Sequence, residues 1–210
     1  LLRVTLSGER LELSAPWMLP LSISAFPAHG LIKQVIVWKD QCNAIDMGSR
    51  VAQWMSWFLS RPCRLVYMPE TTERQVDQDY ADANDIVSFA DGFPVLLISE
   101  ASLAQLSVRL NRPVAMSRFW PNIVVSGCEA FAEDSWKSIQ INGVDFCVAK
   151  PCSRCSMPTI DQESAQVDRE VMTKLAEFRR AADGKIYLGQ NLINQSDGVI
   201  HVADEVLVTG

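Results

Sequence analysis

Residues 138–155 read Ser-Ile-Gln-Ile-Asn-Gly-Val-Asp-Phe-Cys-Val-Ala-Lys-Pro-Cys-Ser-Arg-Cys. Strand-forming runs at 138–141 and 144–149 flank Asn142-Gly143, the dipeptide that most readily takes the two positive φ angles of a tight hairpin turn. The second strand runs directly into Lys150-Pro151-Cys152-Ser153-Arg154-Cys155. That loop carries two thiols three residues apart, with a guanidinium between them and an ammonium just before. No other part of the chain concentrates so much chemistry, and the hairpin that delivers it marks the fold as β-rich.

Moving outward, helices and strands interleave. In 1–13 the apolar residues alternate on either side of Ser7-Gly8-Glu9-Arg10, which predicts a hairpin. Residues 14–30 hold three prolines and a glycine and read as loop or edge strand. A strand is predicted at 34–39. A helix follows over 46–59, capped by Asp46 or Ser49, with Val51, Trp54, Met55 and Phe58 on one face and Pro62 at its end. Another strand is predicted at 64–68. Residues 69–85 are polar and acidic, the best linker or mobile loop in the chain. Beyond them come a strand at 95–98, a helix capped by Ser99 and running to Leu110, a strand at 122–126, a helix at 171–182, and closing strands at 198–202 and 205–208. The expected organisation is a β-rich unit at 1–68, a connector at 69–85 and a second domain at 86–210.

The chain has 210 residues, 48% hydrophobic and 21% charged, with net charge −6. That balance is globular, and the acidic excess argues against a nucleic-acid backbone as partner. No apolar run is long enough for a membrane span. Of the six cysteines, Cys128 and Cys147 lie in apolar runs and read as buried, reduced thiols. A reducing compartment, the cytoplasm, is expected.

Four chemistries suit the cysteine loop. A closed zinc site needs a second ligand pair, and His29 and His201 are isolated. A thioredoxin-like dithiol needs a helix directly after it, where Pro158 stands instead. A structural turn is the third reading, although Lys150 and Arg154 would then favour a thiolate that is never used. In the fourth, one thiolate ligates a soft-tolerant metal while Ser153 and Arg154 face an anionic cofactor.

Several further stretches, in order, give the loop a family context. They are 88–94 (SFADGFP), 98–103 (ISEASL), 119–127 (FWPNIVVSG), 133–136 (EDSW), the KPCSRC segment with Met157-Pro158-Thr159-Ile160-Asp161, and the closing Phe178-Arg179, Gly189-Gln190-Asn191 and Gly198-Val199-Ile200. Together they resemble MOSC-domain proteins over about residues 86–210. Residues 1–68 resemble the second half of the β-rich domain that precedes the MOSC domain. The resemblance extends to bacterial MOSC–ferredoxin fusions and their mitochondrial amidoxime-reducing counterparts. The resemblance implies a mixed α+β, β-rich fold in which a β-barrel-like MOSC domain follows part of that N-terminal domain. It also implies a molybdenum–molybdopterin cofactor, with an iron–sulfur ferredoxin outside this chain, or another electron-transfer protein, as electron source. The activity implied is reduction of small N-hydroxylated compounds, such as hydroxylaminopurines and amidoximes, by oxygen-atom abstraction, in the context of detoxification. An association with pyridoxal phosphate is a further implication.

Carried over position by position, the resemblance makes Cys155 the metal ligand, Ser153, Arg154 and Asn122 cofactor contacts, and Glu129 an acidic residue that handles protons or shapes the site. Cys152 is left in a supporting role. Trp120 stands where the family has a cofactor-binding Arg, and Arg118 is expected to compensate from the same strand face. The N-terminal HPVKS segment of the family has no counterpart here. The alternative function is a non-catalytic cofactor-binding or sulfur-carrier module.

Overall fold

A strand buried on both faces lacks the apolar–polar alternation that marks a surface strand, and such a strand forms the centre of this fold. The computed structural model describes residues 1–210. Two compact units divide the chain, Leu1–Arg74 and Gln75–Gly210. The boundary falls inside the acidic stretch 69–85.

In the first unit, β1 (Arg3–Ser7), β2 (Arg10–Ser14) and β3 (Leu21–Ser24) form one antiparallel sheet. A second consists of β4 (Ile32–Val37), β5 (Asp40–Asp46) and β6 (Val66–Tyr67). Helix α1 (Ser49–Leu59) places Val51, Trp54 and Met55 against Leu13 and Leu21. The Trp54 indole N–H donates to Leu19 O at 2.8 Å. Asp46 accepts the Gly48 N–H rather than capping the helix itself. Its carboxylate is buried and paired with Arg64. That pairing holds its pKa below the ordinary carboxylate value, against the opposing effect of burial.

The second unit is a six-stranded, nearly closed barrel-like sheet in the order β12-β9-β10-β11-β7-β8. Its strands are β7 (Val95–Ser99), β8 (Ile123–Val125), β9 (Ser138–Ile141), β10 (Val144–Ser153), β11 (Tyr187–Asn194) and β12 (Val206–Val208). The β9–β10 hairpin turns at Asn142-Gly143, both at positive φ, as the dipeptide predicts. Helices α2 (Glu100–Leu110) and α3 (Glu170–Arg179) cover one apolar layer, built from Ile98, Leu103, Leu106, Leu110, Val171, Leu175 and Leu188. Ser99 caps α2, its hydroxyl accepting the Ser102 N–H. A second layer, with Leu97, Ile139, Val144, Phe146 and Leu192, fills the barrel side. No helix is long and apolar enough to cross a membrane.

The structure revises several expectations. Residues 198–202 form no strand; the strand that does form before β12 is β11, unforeseen, where Leu188, Gly189, Gln190, Leu192 and Ile193 are buried. The 34–39 strand runs instead over Ile32–Val37 and turns at Trp38 into β5, itself unforeseen. The 64–68 strand shortens to Val66–Tyr67. Cys128 and Cys147 are half-buried rather than buried. Arg118 sits in a 3-10 turn, Met116–Phe119, and Trp120 is left-handed at φ 55, so the two do not share a strand face.

Gly189 shows how tightly β11 sits against β7. Its φ is 77, and a Cβ there would lie 2.5 Å from Leu97 O and 2.6 Å from Ile98 Cγ1. Gly189→Ala is expected to lower unfolding free energy by roughly 2–4 kcal/mol, from left-handed strain and displacement of packed β7. Urea denaturation monitored by tryptophan fluorescence tests this; an unchanged midpoint refutes it.

Candidate functional site

The cysteine segment begins as strand and ends as turn. Lys150 to Ser153 still pair with β11, but the register shifts between Val148 and Lys150 and again between Pro151 and Ser153. Such irregularities bend a strand and re-aim its side chains. Cys152 falls in the second of them and is half-buried; Cys155, past the strand end, is exposed. The Met157 N–H points at Cys155 Sγ, 3.4 Å away.

Arg154 lies between the thiols in sequence, and the charges of both act on it. Its backbone N–H donates to Ile186 O at 2.7 Å, its Nε to Leu188 O at 2.9 Å and its Nη1 to Phe119 O at 3.1 Å. Its guanidinium carbon stands 5.4 Å from the centroid of the buried Phe119 ring. The remaining nitrogen, Nη2, is buried and meets no acceptor. Burial draws the guanidinium pKa down from its usual value, while the charges of Cys152 and Cys155 act in the other direction. Burial likewise pushes the Cys152 thiol up, against the pull of Arg154. Asp91 and Cys155 push it the same way as burial, and a hydrogen bond from Asn191 opposes them. Cys152 is therefore held as a thiol.

The other predicted site residues are placed as follows. Ser153 is exposed and in register with Tyr187. Arg118 is turned inward: Nη1 reaches Pro158 O at 3.3 Å and Thr159 O at 3.2 Å, and Nη2 pairs with Asp161 at 2.9 Å. Its guanidinium thus fixes the turn after Cys155. Asn122 clasps β7, its side-chain oxygen accepting the Leu96 N–H at 2.8 Å while its own N–H donates to Leu96 O at 2.9 Å. Glu129 is exposed on the turn that Ala132 N–H closes onto its carbonyl. Lys150 is engaged by Asp77 and two aromatic rings rather than by the thiols.

Sequence reasoning missed the two carbonyls that hold Arg154, the Asn191 contact and the Asp161 turn. Only Asp161 left a signal. Asp-x-x-Ser at 161–164 fits an Asx turn, and the Asp161 carboxylate does accept the Glu163 and Ser164 N–H groups.

No group of three or more His, Cys, Asp or Glu side chains gathers into a metal-holding cluster. A metal here would draw one soft ligand from the protein and the rest of its coordination from a cofactor. The residues fit such a group: the exposed Cys155 thiol is next in sequence to Arg154, whose buried Nη2 still has a hydrogen bond to give an anionic acceptor.

The chain is similar to known proteins. Residues 84–207 match the sequence profile of the MOSC domain. Human mitochondrial amidoxime-reducing component 1 is 34% identical over 226 residues, covering 100% of this chain and 66% of the relative. The bovine mitochondrial amidoxime reducing component 2 is 37% identical over 139 residues, 64% of this chain and 41% of the relative. A molybdenum cofactor sulfurase from Oryza sativa subsp. japonica is 33% identical over 184 residues, 80% of this chain and 22% of the relative. The chain thus spans just under two thirds of the length of the amidoxime-reducing relative that it matches end to end.

Two predictions follow from the turn after Cys155. Arg118→Met leaves Pro158 O, Thr159 O and Asp161 without their shared donor and is expected to cost about 2–3 kcal/mol; a thermal melt reads it, and an unchanged Tm counts against the clamp. Hydrogen bonds from the Ser164 N–H and hydroxyl hold the Asp161 pKa below its ordinary value. A depressed folded pKa stabilises above the unfolded value, near 4, and that stabilisation fades as pH falls through the folded one. The stability advantage over Asp161→Asn is therefore expected to be constant above about pH 5 and to shrink below about pH 4.

Proposed function

The chain belongs to the MOSC-domain family, and from that premise we propose that it is a molybdenum-cofactor-dependent reductase of small N-hydroxylated compounds. The observation that carries this reading is an exposed Cys155 thiol adjoining, in sequence, an Arg154 whose buried Nη2 has no hydrogen-bond partner and whose guanidinium feels the charge of Cys155. A free thiolate gives the soft ligand, and a desolvated cation gives an anionic cofactor a strong hydrogen bond. The names of the human and rice relatives, one an amidoxime-reducing component and one a molybdenum cofactor sulfurase, support a molybdenum-linked role.

In this reading residues 86–210 are the MOSC domain and 1–68 part of its β-rich partner. Cys155 ligates the metal, Arg154 and Ser153 hold the cofactor, and Cys152 stays a protonated thiol beside them. Arg118 acts through Asp161 and the 158–159 carbonyls to fix the turn that aims Cys155, so its part is positioning. Glu129 is exposed and free to pass protons at the site's edge. The cofactor supplies two-electron chemistry for removing the N–OH oxygen, and electrons arrive from a ferredoxin-type donor. The six free cysteines suit a reducing compartment such as the cytoplasm.

Metal analysis is the direct test. Protein expressed with intact cofactor synthesis is expected to contain molybdenum, to lose it in Cys155→Ser and to keep it in Cys152→Ser. With an artificial electron donor it should reduce an N-hydroxylated purine, and Cys155→Ser should abolish that activity. Absence of molybdenum in the wild type overturns the reading; molybdenum without turnover turns it toward a cofactor or sulfur carrier.

A further inference from the structure

Lys150 carries a cluster of contacts that the proposed chemistry does not use. Its ammonium lies 4.1 Å from the Tyr80 ring centroid, 4.9 Å from that of Phe93 and 3.7 Å from the Asp77 carboxylate. Tyr80 and Phe93 meet edge-on, centroids 6.2 Å apart. A cation set against two ring faces and a carboxylate is attracted by all three. Every one of these partners belongs to residues 75–93. The same segment is anchored beneath by Val76 and Val87, which pack with Ile193 of β11, with Ala149 and Phe93 around them, and is closed on itself by the Gln75–Ile86 bridge.

Lys150 stands between the two register shifts of β10, two residues before Cys152. Asp91 of the same segment is near enough for its charge to act on the Cys152 thiol. Cys152 is half-buried, and Cys155, three residues further on, is exposed. The difference between the thiols thus coincides with the place where the 75–93 segment reaches the cysteine strand.

We infer that Lys150 is a positioning residue: by clamping the 75–93 segment onto β10 it keeps Cys152 covered and leaves Cys155 as the one thiol of the pair open to a metal or an electrophile. The clamp selects which sulfur reacts, whichever group that sulfur takes. It therefore stands or falls separately from the molybdenum reading.

The test is thiol accessibility in the full chain prepared free of metal, by brief N-ethylmaleimide labelling with residue-by-residue mass spectrometry. In the wild type Cys155 is expected to label much faster than Cys152. Lys150→Met keeps the length and apolar stem of the side chain and removes the charge; labelling of Cys152 is expected to rise about fivefold, with Cys155 and Cys42 unchanged. Lys150→Arg, which retains the cation over the rings, should restore the wild-type ratio. Loss of a nearby cation by itself disfavours the thiolate and slows labelling, so a faster Cys152 reports uncovering rather than charge. Unchanged Cys152 labelling in Lys150→Met overturns the inference, and so does a rise at all six cysteines together, which is general loosening. Should Lys150→Met not fold, Tyr80→Leu removes the nearer ring from an exposed position, and the same selective rise at Cys152 is required of it.

Discussion

A guanidinium enclosed by protein has to be met by acceptors, and the acceptors that meet Arg154 tie together three parts of the second unit. Leu188 O lies in β11, Phe119 O closes the 3-10 turn before β8, and Ile186 O takes the backbone N–H. A hydrogen bond to a charged donor is worth about 1.5–3 kcal/mol net, and a buried charge left without partners costs more than that. The chain path around Arg154 therefore brings acceptors to its backbone N–H, Nε and Nη1, while Nη2 stays without one. Cys152 and Cys155 flank it in sequence, and each acts on its charge.

The same device recurs around the site. Arg118 crosses to the Pro158 and Thr159 carbonyls and to Asp161. Arg179 joins Asp134 at 2.7 Å and donates to Tyr187 O at 2.9 Å, while the buried Gln190 donates to the other Asp134 oxygen at 2.8 Å. Next to Asp134, Glu133 is fully buried and accepts from Ser99 N–H and the Ser102 hydroxyl, bracing the start of α2. Ser153 and Tyr187 are in register, so a bond to Tyr187 O bears on the cysteine strand one residue from Arg154. Long cationic side chains, each reaching a backbone carbonyl across a strand or turn, hold a segment that contributes little apolar packing. A loop that must keep a thiol exposed cannot also bury it for stability, and polar fastening from below is the remaining means.

Local signals made much of this fold legible and left its centre obscure. The Asn142-Gly143 turn, the Ser99 cap and the apolar spacing of α1 and α2 each act within a few residues, and each formed as read. β11 did not show itself because Leu188, Gly189, Leu192 and Ile193 are covered on both faces, which erases the alternation a strand shows at a surface. The closing strand expected at 198–202 did not form, although Val199, Ile200 and Val202 lend that stretch a strand-like composition. For the site, residue types were legible and directions were not. Arg118, Asn122 and Lys150 were noticed for their chemistry, yet their polar atoms are taken by Asp161, Leu96 and Asp77, partners 26 to 73 residues away in sequence. Spacing along one strand cannot reveal such partners. The reading of Arg118 as a companion to Trp120 failed for a related reason, since a turn of 3-10 helix ending in a left-handed residue removes the period-two rule on which it relied.

Two thiols three residues apart would ordinarily share one environment, and here they do not. Cys152 remains within the reach of β11, through Asn191, and of the covering segment, through Asp91; burial and that carboxylate both disfavour its thiolate. Cys155 lies beyond the last paired residue, Ser153, and beyond that cover. The end of strand pairing thus separates a shielded thiol from a free one. Were β10 to pair for two residues more, Cys155 would enter the ladder; were it to stop two residues earlier, Cys152 would leave it. A site that needs a single sulfur from a two-cysteine motif depends on that strand end, and the Arg154–Ile186 hydrogen bond just past the last pair is what fixes it.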